Sequence, residues 1–193
     1  MEKDKIIQPC KLLVIGGSAG SLEVLLRVLP QIKETLSFTI VIVLHRKNSP
    51  DSALSDLFAT RTKIPVKEIE DKQQILHSHI YVTPADYHLL FEKNNFFSLD
   101  FSEKINYSRP SIDVAFESAA DIYKSQLTCL YLSGANSDGT NGLKVVKQNG
   151  GQIAVQNPET ADSPFMPRYA ILNTEVDFIL DITEMAEFIN SLN

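Results

Sequence analysis

Three side chains of the kinds used in nucleophilic acyl transfer each come shortly after an apolar run of this sequence: Ser18, His45 and Asp138. Ser18 lies in Gly16–Gly20, a segment that fits the G-x-S-x-G pattern of a serine nucleophile on a strand-to-helix turn. In acyl transfer a histidine takes the hydroxyl proton, and an aspartate fixes the tautomer of the histidine and stabilises the imidazolium. The chain order Ser, His, Asp differs from the Ser, Asp, His order of α/β-hydrolases, which argues against that superfamily.

Each of these residues also has an ordinary structural explanation. Serine is a favoured N-cap, and a glycine-rich turn before a helix often binds phosphate. His45 is explained by a hydrogen bond between the end of a strand and a loop, and Asp138 by a turn or an N-cap in Ser-Asp-Gly. The coincidence of all three residue types at equivalent positions favours a catalytic triad.

Other sites have weaker support in the sequence. The third position of a G-x-G-x-x-G pattern is Ser18 rather than glycine, and no G-K-[ST] segment is present. His77 and His79 lack a carboxylate or cysteine at metal-ligand spacing, so no metal site is expected. Arg168 is a candidate for binding a substrate carboxylate, although a solvated arginine is the ordinary alternative.

The elements that would position the triad alternate between strands and helices. Leu12–Ile15 is a buried strand, and the leucines at 22, 25, 26 and 29 repeat with helical spacing. Further strands are predicted at Phe38–Leu44, Ile64–Ile69, His79–Thr83, Leu127–Leu132, Gln152–Gln156 and Phe178–Leu180. Further helices are predicted at Asp51–Ala59, from Ser111, at Leu143–Gln148, at Met166–Leu172 and, with Thr183 as its cap, near the C-terminus.

This alternation predicts an α/β fold, a doubly wound, mostly parallel sheet flanked by helices. His88–Glu92 and Phe96–Phe101 predict a small antiparallel hairpin, expected at an edge of the sheet. In such a fold a ligand site lies beyond the carboxyl ends of the strands, near the switch point of the strand order. Ser18, His45 and Asp138 are therefore expected to meet there.

The bulk properties predict one domain of 193 residues, with an N-terminal tail at 1–10 and the catalytic domain at 11–193. The net charge is −6 and no basic run is present, so nucleic acid is not an expected partner. No segment has the apolar length of a signal peptide or membrane span, so we expect a cytoplasmic protein without direct membrane insertion.

With these motifs, the sequence resembles the catalytic domain of the CheB-type chemotaxis protein-glutamate methylesterases. The resemblance extends from about Lys11 to Leu192. The motifs that carry it are VIGGSAGS at 14–21, VIVLH at 41–45, YVTPADYHL at 81–89, RPSIDVAF at 109–116, LSGANSDGTNGL at 132–143, AVQNPET at 154–160 and MPRYAI at 166–171.

The resemblance implies a serine esterase that hydrolyses glutamate methyl esters on chemoreceptors to glutamate and methanol, and that can also deamidate glutamine. It implies Ser18 as nucleophile, His45 as base and Asp138 as the residue that orients His45. Backbone N–H groups near Ala19 and Gly20 would hold the oxyanion. No metal or organic cofactor is implied, and the implied partner is the methylated cytoplasmic region of a chemoreceptor.

The sequence departs from the family pattern beside the implied triad. Ala19-Gly20-Ser21 replaces Thr-Gly-Gly, while Leu44 and Arg46 replace glutamine and methionine around the histidine. Ser133-Gly134-Ala135-Asn136 replaces Thr-Gly-Met-Gly, which removes a methionine implied to line the site. Rate and specificity are therefore expected to depend on Ala19, Leu44, Arg46 and Ala135.

These departures leave two alternatives to the esterase. One is a catalytically weak or inactive signalling module that binds a receptor or regulatory partner, and the other is a small-anion or nucleotide binder at the turn after Gly17. The receiver domain usual in the family is not expected, because only about ten residues precede the first strand. A stand-alone esterase, a fragment, and a domain regulated by a separate receiver or regulatory protein all remain open.

Overall fold

A computed structural model describes residues 7–45 and 53–193 of the chain. Strands and helices alternate along it, and a hairpin stands in the middle. The strands are β1 (Leu12–Gly17), β2 (Thr39–Leu44), β3 (Val66–Glu68), β4 (Ile80–Val82), β5 (His88–Glu92), β6 (Phe96–Asp100), β7 (Leu127–Tyr131), β8 (Gln152–Gln156) and β9 (Phe178–Leu180). The helices are α1 (Ser21–Val28), α2 (Ala53–Ala59), α3 (Ile112–Tyr123), α4 (Thr140–Gln148), α5 (Phe165–Asn173) and α6 (Ile182–Ser191).

The main sheet is parallel, with the strand order β3-β4-β2-β1-β7-β8-β9. From β1 the chain first builds one half of the sheet through β2 and then returns to the other side of β1 with β7. The strand order therefore reverses between β1 and β7, and the predicted doubly wound α/β architecture is confirmed. The predicted helix at Asp51–Ala59 is present from Ala53, and its expected start lies outside the described residues.

Both faces of the sheet are covered. Along β1, Leu13 and Ile15 join a core with α1 and α6, whereas Leu12 and Val14 join a second core with α3 and α4. All six residues of β1 and of β2 are buried, which is why these strands are continuous apolar runs. Because β1 and β2 are held inside the sheet, their carboxyl ends have fixed positions, and Ser18 and His45 follow directly after those ends.

The hairpin of β5 and β6 is antiparallel as predicted, but its expected position at an edge of the main sheet is wrong. The two strands form a sheet of their own. Leu89, Phe91 and Phe97 are buried in the core that contains α3, and the N–H of Phe91 donates to Ser118 Oγ at 2.8 Å. The hairpin is therefore held by a helix rather than by an edge strand.

Two helical details also differ from expectation. Of the predicted leucine face, Leu25 and Leu29 are buried and Leu26 packs partly against the same core, whereas Leu22 is 39% exposed. Val24 and Val28 complete the buried face of α1. α6 begins after Asp181 rather than at Thr183, because the Asp181 N–H donates to Glu184 Oε2 at 2.8 Å.

Within the ranges described, no helix combines the length and the apolarity that crossing a bilayer requires.

Candidate active site

Ser18 lies on the sharp turn between β1 and α1. Its N–H donates to the carbonyl oxygen of Ser133 at 2.9 Å, which ties the turn to the end of β7. A Cβ on Gly17 would lie 2.2 Å from Ser21 Oγ, and Gly20 has a φ of +84°, so both glycines are needed for this path. The serine is thereby held at the carboxyl end of the central strand.

His45 directly follows β2, the neighbour of β1 in the sheet. The backbone N–H of His45 donates to the carbonyl oxygen of Gly17 at 3.1 Å. This hydrogen bond joins His45 to the residue just before Ser18. The imidazole is 11% exposed, and its Nε2 lies 2.6 Å from Asp138 Oδ2. The predicted contact between histidine and aspartate is present in the structure.

Asp138 is fully buried at the N-terminus of α3. Its carboxylate accepts hydrogen bonds from the Ile112 N–H at 2.6 Å and from Ser111 Oγ at 2.7 Å. Burial alone would raise the pKa of Asp138, but the hydrogen bonds from His45, Ser111 and Ile112 outweigh it and hold that pKa below its usual range. The residue is therefore an ionised acceptor at neutral pH.

Asp113 lies beside this carboxylate, in the first turn of α3. Its Oδ1 accepts from the N–H groups of Gly139 and Gly142, at 2.9 and 2.7 Å. Burial raises the pKa of Asp113 to about 6, and the neighbouring charge of Asp138 adds to the rise. Asp113 therefore caps α4 rather than its own helix.

Asn136 is a member of the site that the sequence argument missed. Its Oδ1 accepts the N–H of Asp138 at 3.1 Å, and its Nδ2 donates to His45 Nδ1 at 3.2 Å. The signal in the sequence is the unusual loop Ser133–Asn136, which places an amide side chain two residues before Asp138. Ser111 was expected to start a helix, but its hydrogen bond to Asp138 had no sequence signal.

The side chain of Ser18 stands apart from this network. No hydrogen bond joins Ser18 Oγ to His45 in the described part of the chain. A Cβ added to Gly134 would lie 2.9 Å from Ser18 Cβ and 1.8 Å from Met166 Sδ, so the loop after β7 closely approaches the serine. The fold brings the three predicted residues to one end of the sheet and joins two of them directly.

The backbone at Ala19 and Gly20 has the form expected of an oxyanion site. Over residues 7–45 and 53–193, neither N–H has a hydrogen-bond acceptor, and both groups lie at the N-terminal end of α1. Free N–H groups at this place in a helix attract developing negative charge.

Arg168, the candidate substrate-binding residue, lies on α5. Its Nη2 pairs with Glu159 Oε1 at 2.9 Å, and its side chain is 57% exposed. It lines an open groove of about 480 Å³ together with Ala135, Phe165, Tyr169 and Leu172. The structure thus places Arg168 on a surface that continues from the loop beside Ser18, not among the triad residues.

The remaining candidate ligands have structural roles. His88 is buried, its Nε2 donates to the Glu103 carbonyl at 2.9 Å, and its Nδ1 accepts the Ser111 N–H at 3.1 Å. His79 Nδ1 donates to the carbonyl oxygen of His77 at 2.9 Å. In the residues that can be described, no group of three or more His, Cys, Asp or Glu side chains is arranged to hold a metal ion.

Four departures from the family pattern were expected to border the triad. Ala19 is exposed on the turn, Leu44 is buried with 7% exposure, and Ala135 lines the groove of Arg168. Arg46 lies outside the described residues. Ala135 makes none of the side-chain hydrogen bonds of Asp138.

Comparison with known proteins gives matches over most of the chain. A family model described as CheB methylesterase matches residues 13–189. A protein of Leptospira interrogans, provisionally named protein-glutamate methylesterase/protein-glutamine glutaminase, is 43% identical over 175 residues, which cover 91% of this chain and 91% of that protein. A Thermotoga maritima protein with the same functional name is 33% identical over 180 residues, which cover 92% of this chain and 52% of the relative.

The fold is also similar to a solved structure. The crystal structure of the Thermotoga maritima CheB methylesterase catalytic domain superposes with a TM-score of 0.91 at 32% identity. The superposition covers 95% of this chain and 99% of that catalytic domain.

Proposed function

This chain belongs to the CheB methylesterase family, and from that premise we propose that it is a serine esterase acting through Ser18, His45 and Asp138. The substrate is a glutamate 5-methyl ester in the cytoplasmic region of a chemoreceptor, and the products are glutamate and methanol. The relatives' names support both this reaction and a second one, the deamidation of glutamine. A receptor substrate of this kind locates the protein in the cytoplasm.

The observation that carries the proposal is the contact between His45 Nε2 and the buried, ionised Asp138, at 2.6 Å. An ionised carboxylate can only accept a hydrogen bond, so Nε2 carries the proton of neutral His45. The other ring nitrogen, Nδ1, is therefore the one that can take a proton from Ser18. In the commoner serine triad the two nitrogens have the opposite assignment.

Catalysis then follows from the positions of these groups. Ser18 Oγ attacks the ester carbonyl carbon while His45 Nδ1 takes its proton, and the oxyanion receives hydrogen bonds from the N–H groups of Ala19 and Gly20. The intermediate collapses as the C–O bond to the methoxy group breaks, and Nδ1–H gives its proton to the leaving methanol. Water then attacks the acyl carbon while His45 Nδ1 takes its proton, the bond to Ser18 Oγ breaks, and Nδ1–H returns the proton to Ser18. With glutamine as substrate, the leaving group is ammonia.

We place the receptor chain that flanks the ester in the groove lined by Ala135, Phe165, Arg168, Tyr169 and Leu172. Phe165 and Tyr169 stack with ring centroids 5.6 Å apart, and they are 50% and 38% exposed. Arg168 lies between them in sequence and offers a charge to an acidic side chain or to the carboxylate product. Exposed aromatic rings beside a cation favour an amphipathic polypeptide as substrate.

Methanol release from methylated receptor membranes tests the proposal. The wild-type protein should release methanol, and Ser18→Ala should reduce the rate to that of the uncatalysed reaction while leaving the unfolding transition unchanged. Ser125→Ala, at an exposed serine near the opposite end of the sheet, is the matched control and should keep full activity. Normal turnover by Ser18→Ala would disprove the nucleophile. No turnover by any form, with receptor binding intact, would favour the non-catalytic signalling module instead.

A further inference from the structure

Asn136 contacts both His45 and Asp138, the two residues that are joined by the hydrogen bond at His45 Nε2. Its Oδ1 accepts the backbone N–H of Asp138 at 3.1 Å. Because that oxygen is engaged, the amide cannot rotate by 180° without losing this hydrogen bond. Its Nδ2 therefore faces His45 Nδ1, at 3.2 Å, with N–H groups only.

The ring of His45 can accept this hydrogen bond in one tautomer only. Nε2 must donate to the ionised Asp138, at 2.6 Å, so the lone pair of the neutral ring is on Nδ1. Asn136 and Asp138 thus specify the same tautomer from opposite sides of the ring. The two contacts involve different ring nitrogens and require the same tautomer.

The same lone pair is the one needed for chemistry. An imidazole nitrogen has a single in-plane lone pair, so Nδ1 cannot fully accept from Asn136 and from the Ser18 hydroxyl at the same time. Moreover, once Nδ1 carries a proton, it faces the Nδ2–H of Asn136, donor against donor. In the described residues Ser18 Oγ has no hydrogen bond to His45, which agrees with a nitrogen already occupied.

We propose that Asn136 is a positioning residue that sets the tautomer of His45 and restrains the base by occupying Nδ1 until Ser18 displaces it. The proposal rests on the proposed function, because it needs Ser18 as the group that competes for Nδ1. It makes Asn136 a determinant of the rate and not of substrate affinity. Among the described residues no hydrogen bond joins Asn136 to Ser18, and on this account Asn136 does not contact the substrate.

Two substitutions at this position should have opposite effects. Asn136→Ala removes the competing donor, so the rate of Ser18 labelling by a fluorophosphonate should rise about fivefold, the value of one neutral hydrogen bond. Asn136→Asp keeps an oxygen for the Asp138 N–H but presents an acceptor to Nδ1, which then holds a proton. Labelling should fall at least about tenfold, as expected of a charge-assisted hydrogen bond. With methyl ester substrate, kcat should follow the same pattern and KM should stay constant.

Ser137→Ala is the control for disturbance of the loop, because Ser137 is exposed and adjacent to Asn136. It should leave labelling unchanged. If Asn136→Ala is folded but labels at the wild-type rate or more slowly, the proposal is wrong. A fall in both variants would likewise overturn it, since a merely structural role predicts losses of the same sign.

A spectroscopic measurement separates this proposal from the function on which it rests. The ¹⁵N NMR signals of His45 can be assigned among the four histidines by comparison with His45→Gln. The wild-type spectrum should show a protonated Nε2 and a hydrogen-bonded, unprotonated Nδ1, and Asn136→Ala should move only the Nδ1 signal, towards that of a free lone pair. A proton on Nδ1 in the neutral wild-type ring would overturn the proposal whether or not Ser18 is reactive. If the spectrum is as expected but the fluorophosphonate does not label Ser18, the result would instead count against Ser18 as nucleophile.

Discussion

Asp138 caps α3, the helix that contains Asp113, and Asp113 caps α4, the helix that follows Asp138. Asp138 precedes α4, yet its carboxylate binds Ser111 Oγ and the Ile112 N–H at the start of α3. Asp113 belongs to α3, yet its carboxylate binds the N–H groups of Gly139 and Gly142 in α4. The exchange places two carboxylates side by side between two positive helix ends.

This exchange ties the candidate catalytic aspartate to the packing of the domain. A Cβ on Gly142 would lie 2.7 Å from Phe116 Cβ, so α3 and α4 are in close contact where the two carboxylates meet. Loss of either acceptor leaves buried N–H groups without a partner, which costs stability. Changes at Asp138 should therefore affect folding as well as chemistry.

Replacement of Asp138 by asparagine should lower both activity and stability. The amide can still accept from one side but presents N–H groups to His45 or to Ile112, so position 138 no longer specifies the ring tautomer and only the contact from Asn136 does. We expect kcat to fall about 10³- to 10⁴-fold, as for the equivalent change in other serine triads, and the free energy of unfolding to fall by about 1–3 kcal/mol. Methanol release and urea denaturation measure the two effects.

Asp177→Asn is the matched control for Asp138→Asn. Asp177 accepts the Ile153 N–H at 2.9 Å and pairs with Lys147, far from the end of the sheet that holds Ser18. This variant should lose stability but keep its kcat. If Asp138→Asn behaves in the same way, Asp138 has only a structural role.

Asp113 should make stability fall as the pH rises through the weakly acidic range. Burial raises the pKa of Asp113 to about 6, whereas an unfolded aspartate has a pKa near 3.9, so the folded protein retains this proton longer. The stabilising contribution is fully present below the unfolded value and is lost as the pH rises through about 6. Asp138, whose pKa is lowered, acts in the opposite direction and at lower pH.

Asp113→Asn isolates this contribution, because asparagine resembles the protonated aspartate. The difference in the free energy of unfolding, variant minus wild type, should increase between about pH 4 and pH 6.5 by an amount on the order of 2 kcal/mol. Urea denaturation at several pH values gives this difference directly. A constant difference, or a decrease over that range, would contradict the assignment of the proton to Asp113.

The sequence was sufficient to predict where the site lies but not how it is held. Ser18 and His45 come directly after strands that are buried on both faces, and such strands are recognisable as apolar runs. Asp138 lies in the loop after β7, which neighbours β1, so the carboxyl ends of parallel strands bring all three residues to one end of the sheet. The family motifs led to the same three residues.

The hydrogen bonds around His45 and Asp138 had no such signal. The capping exchange pairs Asp138 with Ile112 and Asp113 with Gly139, and these contacts depend on how two helices pack after the sheet has formed. A cap is normally predicted within its own helix, so the exchange was not anticipated. The contact of Asp138 with His45 Nε2 rather than Nδ1 likewise follows from the orientation of the ring, which no spacing of residues determines.

Gly139 should tolerate alanine much less well than Gly150. Both have a left-handed backbone, with φ values of +108° and +83°. A Cβ on Gly139 would lie 2.4 Å from Tyr131 Cε2, whereas one on Gly150 would have no heavy atom closer than 3.7 Å. Gly150→Ala should cost about 1 kcal/mol of unfolding free energy, the backbone strain alone, and leave activity intact.

Gly139→Ala adds a steric clash to that strain and displaces the residue next to Asp138. The Tyr131 hydroxyl donates to the Asp138 carbonyl at 2.6 Å, so movement of the Tyr131 ring disturbs Asp138 itself. We expect a loss of about 3 kcal/mol or more and at least a tenfold fall in kcat. Equal stability of the two alanine variants in thermal or urea unfolding would show that Tyr131 moves aside without cost.

Arg168 should matter for the receptor substrate and not for the chemical step. It lies on the groove rim with Phe165 and Tyr169, and its partner Glu159 is 77% exposed, so the ion pair adds little to stability. Arg168→Ala should raise KM for methylated receptor about three- to tenfold and change kcat less than twofold, because the lost contact is equal in the ground and transition states. Arg61→Ala, at an exposed arginine at the C-terminal end of α2, should change neither constant. A small methyl ester that does not reach the groove should be hydrolysed equally by wild type and Arg168→Ala. If KM for receptor is unchanged, the receptor chain follows another surface and Arg168 is only solvated.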